Sequence, residues 1–173
     1  MTEPTFEVRL TQMLSDDERR ILLGWGDDIF DIGQLDWHGR KKEWQILGYA
    51  GGQLVSRVGI LKTVVYVAQL PLSIGGIGGV VTIPTAQRKG YARLLLQQAA
   101  VFMAETLQVE FGLLFCLPRL LPFYQGAGWQ EVTSPVFIDQ PAGRMASPVP
   151  VMWLACGSEQ SWPAGVAEVG LPW

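Results

Sequence analysis

Histidine, cysteine and charge are all scarce in this chain. One histidine, His38, and two cysteines, Cys116 and Cys156, exclude a disulfide framework and a His/Cys-rich zinc site, so no metal is expected. No apolar run reaches the ~18 residues that a membrane-crossing helix needs, and no membrane partner is expected. The N-terminus, Met1-Thr2-Glu3-Pro4, is acidic where a secretory leader would be basic, which predicts a cytoplasmic protein. Charged residues are only 17% of the chain, and 13 Lys and Arg against 16 Asp and Glu leave a net charge of −3. That balance makes no electrostatic case for binding nucleic acid. Apolar residues, by contrast, make up 49% of the 173 positions, enough for one domain with its own core. A single domain over 1–173 is expected, with the Pro/Gly-rich but apolar segment 157–173 as a docked C-terminal tail.

The acids are clustered. Residues 1–45 hold ten of the sixteen, and Asp27, Asp28, Asp31 and Asp36 fall in a stretch without Lys or Arg. Such a run is either a solvated loop or the acidic wall of a pocket for a cation. Along the chain, residues 5–10 alternate as a strand, and Ser15 with Glu18 has capping-box spacing for a helix through Trp25. Strands are predicted at 44–50 and 53–67 around the hairpin signal Gly51-Gly52, and at 74–83 up to Pro84. A helix over 88–107, a strand over 111–117, a short helix over 119–126 and strands over 129–138 and 149–156 complete an α/β order that does not alternate strictly.

The informative stretch is Val80-Val81-Thr82-Ile83-Pro84-Thr85-Ala86-Gln87-Arg88-Lys89-Gly90-Tyr91-Ala92. It reads as a strand, a proline stop and a loop opening a long helix. Gly90 and Ala92 let a ligand approach the backbone, and the open N–H groups and positive dipole end of the helix attract an anion. Arg88 and Lys89 add charge there, and a pyrophosphate is the implied ligand. Other phosphate motifs fail: there is no GxxxxGK[ST], and Val81 breaks a GxGxxG reading of the glycines at 75, 76, 78 and 79.

This stretch resembles motif A of the GNAT (GCN5-related) N-acetyltransferases, with core [Q/R]-x-x-G-x-[G/A]. Leu121-Pro122-Phe123-Tyr124-Gln125-Gly126-Ala127-Gly128-Trp129 resembles their later aromatic-Tyr motif, and the resemblance spans roughly 5–156. It implies the GNAT fold: an α/β (α+β) domain whose central mixed, mostly antiparallel sheet splays into a V flanked by helices. It also implies acetyl-CoA as co-substrate, with Val80, Val81 and Thr82 holding the acetyl carbonyl and pantetheine through backbone amides. Gln87, Arg88, Lys89, Gly90, Tyr91 and Ala92 would hold the pyrophosphate. Direct acetyl transfer to an amine follows. Within the family, Asp36-Trp37 and the ending Gly170-Leu171-Pro172-Trp173 are similar to aminoglycoside 2'-N-acetyltransferase-like members. Gly78 stands where those enzymes carry an acid, and 144–151 lacks their acids too.

An ammonium with a lysine-like pKa of about 10.4 must lose a proton before it attacks a thioester. The candidates are the Trp173 carboxylate and, through water, Asp36; no motif surrounds His38. Tyr124 is placed by the resemblance to protonate or hydrogen-bond the departing thiolate. Cys116, in an apolar strand, reads as an inert thiol. The expected function is acetyl transfer to a primary amine of a small cationic acceptor, aminoglycoside- or polyamine-like. The alternatives are a catalytically weakened CoA-binding or regulatory module and a protein or peptide N-acetyltransferase. The aromatics not used in the core are candidates for the acceptor pocket or a homodimer face.

Overall fold

The computed structural model describes residues 5–157 and 160–173; the acidic N-terminal tetrapeptide and residues 158–159 of the expected tail lie outside the described residues. Strand β1 (Phe6–Thr11) leads into helix α1 (Asp16–Leu23). The capping box forms as predicted: the Glu18 N–H donates to Ser15 Oγ at 3.2 Å, and the Ser15 N–H to Glu18 Oε2 at 2.9 Å. Two donors left open by the first turn are thereby satisfied. After α1 a loop with one 3-10 turn, Gly33–Leu35, runs to the meander β2 (Trp44–Ala50), β3 (Gln53–Val67) and β4 (Leu70–Thr82). Gly51 and Gly52 make the β2–β3 turn with φ of 55° and 77°. β4 starts at Leu70 rather than 74, because Ala68 and Gln69 form a second tight turn with φ of 48° and 68°.

Helix α2 (Tyr91–Val101) continues as a π-helical turn, Phe102–Leu107. It starts later than the expected Arg88 because Arg88 and Gly90 are left-handed, with φ of 63° and 83°. Next come β5 (Phe111–Phe115), a 3-10 turn (Pro118–Leu120) and α3 (Leu121–Gly126). The one strand expected over 129–138 is two, β6 (Gln130–Glu131) and β7 (Val136–Gln140), separated at Pro135, which has no N–H for a ladder. β7 forms an unexpected hairpin with β8 (Gly143–Ala146); β9 (Val151–Ala155) and, in the tail, β10 (Ala167–Glu168) complete the set.

The strands form one mixed sheet in the order β6-β9-β5-β4-β3-β10-β7-β8, with β2 and β1 added along the other part of the β3 edge. Among the described residues, β4–β5 and β7–β10 are the parallel pairs. β4 and β5 stay paired from Ile74 opposite Phe111 to Ile77 opposite Leu114 and then part. There β4 also carries one extra residue relative to β3, since Arg57 faces Val81 while Gly59 faces Gly78. The bulge sits at left-handed Gly79, φ 58°, and bends β4 away from β5. The splayed sheet predicted from the motifs is thus produced by a register shift. Leu95, Leu96, Ala99 and Met103 of α2 and its π-turn seal one face, and Phe111, Leu113, Ile138 and Trp173 belong to the core of the other.

The glycine-rich run in β4 is a set of slots for large side chains. A Cβ on Gly76 would lie 2.5 Å from Trp173 Cε2. On Gly112, the β5 partner of Gly75, it would lie 2.8 Å from Trp129 and 2.9 Å from Met103. Gly76→Ala should therefore destabilise the protein by about 1–3 kcal/mol through overpacking, read by denaturant titration; an unchanged midpoint would mean that the Trp173 ring gives way freely.

Candidate active site

Two concavities flank the bulge. A groove of about 550 Å³ runs along the outer half of β4 to the start of α2, and Val80, Thr82, Gln87, Arg88, Gly90 and Ala92 are among its walls. A cleft of about 350 Å³ lies on the other side, between the 30–42 loop, the bulge and the end of β5. Val80, Leu120 and Tyr124 line both. The two spaces therefore meet at the mouth of the V.

Groove chemistry follows from its backbone. Gly79 and Val80 have no strand partner on β3, and β5 pairing has already stopped at Ile77. At the far end, Gly90 caps α2 without any side-chain hydrogen bond to the first turn. Nothing lies within 4 Å of a Cβ built on Gly90, so the space over the helix start is open. The loop is held by Gln87, whose Nε2 donates to Thr82 O at 3.0 Å, and by Tyr91, whose ring stacks on Phe6 at 5.0 Å. Bulge residues without a register partner on either neighbouring strand and a helix start without a side-chain cap suit an acyl thioester at one end and a phosphate group at the other.

A profile of the acetyltransferase (GNAT) domain matches residues 28–132, more than half of the chain. The chain belongs to the GNAT acetyltransferase family. Solved structures agree on the GNAT fold. Escherichia coli ElaA superimposes with a TM-score of 0.57 at 19% identity, over 86% of this chain and 99% of that one. A Bacillus subtilis acetyltransferase in complex with CoA gives 0.57 at 15% identity, over 87% and 99%. The Vibrio cholerae spermidine/spermine N-acetyltransferase SpeG gives 0.52 at 15%, over 86% and 92%. At these identities the likeness is one of fold. No curated protein matches the sequence.

On this GNAT scaffold the expected groove residues Val80, Val81, Thr82, Gln87, Arg88, Gly90, Tyr91 and Ala92 come together. Lys89 is exposed and does not line the groove, while Arg93 and Phe123, which sequence reasoning missed, do. Tyr124 is buried at 6% exposure with its ring 5.0 Å from Phe123. Burial, and after it the neighbouring Cys116, push its phenol well above the ordinary range. Among the described residues its hydroxyl has no hydrogen-bond partner. Cys116 also lines the cleft, but burial first and Glu131 second raise its thiol to about 11, so it stays protonated and inert.

The segment walls the cleft with Phe30, Ile32 and Leu35, and its acids do not line it. Asp28 caps its own turn, accepting from the Ile32 and Gly33 N–H groups at 3.0 and 2.9 Å, and Asp31 pairs with Arg119 at 3.1 Å. Asp36 is left-handed, φ 47°, and exposed outside the cleft, while the next residue, Trp37, turns in to line it. His38 is exposed beside it, its Nδ1 3.0 Å from Asp36 O. Trp173 does reach the cleft. Its Nε1 donates to Ile77 O at 3.1 Å, its ring lies edge-on to Phe115, and the Arg40 N–H donates to Pro172 O at 2.6 Å.

Sequence reasoning missed the charged residues of the cleft, which are Arg40, Lys42 and Arg57. Lys42 lies across Gly59 and Gly78, a facing pair: a Cβ on Gly78 would meet Lys42 Cε at 2.6 Å. Burial, then the charge of Arg57, lower Lys42 to about 8. Arg57 itself is pulled to about 10, by burial and then Arg19. One signal was visible: Arg57 is the single cation in the apolar run from Leu54 to Leu61.

Proposed function

We propose that this acetyltransferase uses acetyl-CoA, moving its acetyl group to a primary amine of a small acceptor by direct attack. The observation that carries this is the meeting of groove and cleft at Val80, Leu120 and Tyr124. The α2 start and the Gln87–Ala92 backbone would hold the pyrophosphate, with Arg88 and Arg93 beside it. The Val80 amide would face the acetyl oxygen, where a fixed donor stabilises developing negative charge. The co-substrate supplies an activated acyl carbon. The acceptor nitrogen bonds to that carbon as the C–S bond breaks, and of the two protons an ammonium gives up, one ends on sulfur and one in solvent. Tyr124 would donate a hydrogen bond to the leaving sulfur. Its raised pKa keeps it from surrendering the proton to a thiolate whose conjugate acid has a pKa of about 8.5. The Trp173 carboxylate is the proposed first stop for the acceptor's proton; Asp36, outside the cleft, would need a relay through water.

The aminoglycoside- or polyamine-like acceptor has less support than the acyl transfer. Lys42 fills the space over Gly78 where the aminoglycoside-type enzymes carry an acid, and of the acidic segment Asp28 and Asp31 are bonded elsewhere while Asp27 and Asp36 do not line the cleft. A peptide acceptor fits poorly with a cleft that Trp173 narrows from one side.

Thermal unfolding with and without acetyl-CoA tests the reading. At about 100 times its dissociation constant the ligand should add ~2.7 kcal/mol, a rise of roughly 5–10 °C. Gly90→Glu should remove the rise by placing a carboxylate over the α2 start, while Gly90→Asn, which tolerates the left-handed backbone, should keep most of it. A rise that survives Gly90→Glu would take the pyrophosphate away from this loop.

A further inference from the structure

Three cations line the acceptor cleft, and none forms an ion pair with a described residue. Arg57 is only 9% exposed, and Arg40 and Lys42 are half-buried. Their polar partners are neutral. Arg57 Nε donates to Gln45 Oε1 at 2.7 Å and Nη1 to Gly79 O at 3.3 Å; Arg40 Nη1 donates to Thr63 Oγ1 at 2.7 Å; Lys42 Nζ has one long contact, 3.5 Å, to Arg40 O. Glu43, next to Lys42 in sequence, accepts from the Lys62 N–H instead. The Trp173 carboxylate forms no ion pair with the three either. The remaining walls are largely apolar, among them Phe30, Trp37 and Phe115.

Buried charge is normally paired, because its desolvation is otherwise uncompensated. Packing leaves the charge unpaired: the Lys42 stem rests on two glycines, and Arg57 has only neutral partners, Gln45 and the Gly79 carbonyl. The missing counter-charge fits a ligand, and 350 Å³ suits a metabolite-sized one. We propose that the acceptor carries, besides its amine, an oxyanion (carboxylate or phosphate) that docks against Lys42 and Arg57 while the amine faces Val80 and Tyr124. This rests on the N-acetyltransferase reading and narrows its substrate class. A polyamine would set like charge against like in the same cleft, whereas an anion would offset the burial, and after it the Arg57 charge, that lower Lys42.

The test is a turnover panel with acetyl-CoA, read by thiol release. It compares glutamate, β-alanine and phosphoethanolamine with the amide of β-alanine, with ethanolamine and with spermidine. An anionic amine should exceed its neutral counterpart at least tenfold in kcat/KM, and the better of the carboxylate and phosphate arms names the anion. Lys42→Met should erase that preference, mainly through KM, and Lys42→Arg should keep it. Spermidine preferred over every anionic amine would overturn the proposal and leave the acetyltransferase reading standing. If no amine turns over, calorimetry of N-acetylglutamate, N-acetyl-β-alanine and N-acetyl-phosphoethanolamine on the CoA-saturated protein decides. Binding no tighter than that of the neutral N-acetyl-β-alanine amide overturns the proposal. No stabilisation by acetyl-CoA and no turnover would overturn both readings together.

Discussion

Tyr124→Phe is expected to lower kcat by about 10²–10³-fold, the usual effect of losing one hydrogen-bond donor to developing negative charge, while acetyl-CoA binds nearly as before. The substitution removes one atom. The ring stays against Phe123, no cavity opens, and the hydroxyl lost has no partner among the described residues. Stability should therefore hold, since the hydroxyl faces the cavities that Tyr124 lines and makes no hydrogen bond whose loss would count. Three measurements separate the roles: kcat, the acetyl-CoA dissociation constant and the melting temperature. A fall in kcat alone assigns the hydroxyl to the leaving sulfur. An unchanged kcat with a changed melting temperature makes Tyr124 a core residue and moves the chemistry elsewhere in the cleft. Because burial raises the phenol's pKa, no alkaline loss of rate should come from this residue below pH 10 or so.

Lys42→Met should stabilise the free protein near neutral pH by on the order of 3 kcal/mol, the free energy that corresponds to lowering a lysine from its ordinary value to about 8. Below pH 8 the lysine is protonated whether the chain is folded or not, and the native state bears the whole cost of a charge that is half-buried beside Arg57. Between about 8 and 10.5 the unfolded chain holds a proton that the native chain does not. Wild-type stability thus gains relative to the variant as pH rises through that window, and the advantage of methionine fades. Other groups titrate there as well: Cys116 and Cys156, both raised to about 11, work in the opposite sense. They are common to both proteins and cancel in the difference. Denaturant titrations of the pair at pH 7, 9 and 10.5 measure it. A constant difference would mean that Lys42 is solvated more fully than its place over Gly59 and Gly78 implies. Such a stabilising replacement is expected where a side chain is kept for a ligand rather than for the fold.

Local rules carried the sequence reading a long way. The Ser15–Glu18 box and the Gly51-Gly52 turn are each written in a few adjacent residues and stand where they were expected, and the loop from Gln87 to Ala92 lies beside the groove with the helix starting three residues later than expected and Lys89 outside the lining. The elements that were missed depend on distant partners or on residues that bear no mark of their role. Ala68 and Gln69 turn the chain with the backbone usually left to Asn-Gly, so nothing announced the longer β4. Residues 129–138 read as one strand, yet β6 joins β9 while β7 joins β10 in the other wing, and only the tertiary fold decides between them. The cleft shows the same limit. Arg40 and Lys42 come from a loop and Arg57 from a strand, and no spacing rule brings them together. The acidic run from Asp27 to Asp36 was the more visible pattern, and its two middle members, Asp28 and Asp31, serve a turn and a surface ion pair.

Trp173 gives the cleft an order of assembly. Its indole closes one wall by bonding to Ile77, 96 positions earlier, and the preceding carbonyl, that of Pro172, ties down the loop at Arg40. Contacts of such long sequence separation form late, because the intervening chain must first lose much of its freedom. The α2 start and the β4 bulge are built from segments that can settle while the C-terminal part is still being synthesised. The groove along β4 can thus take shape on a nascent chain before the Trp173 wall of the cleft exists. A chain stopped short of the tail should gain protection from proteolysis with acetyl-CoA while lacking the wall against which an acceptor would be held.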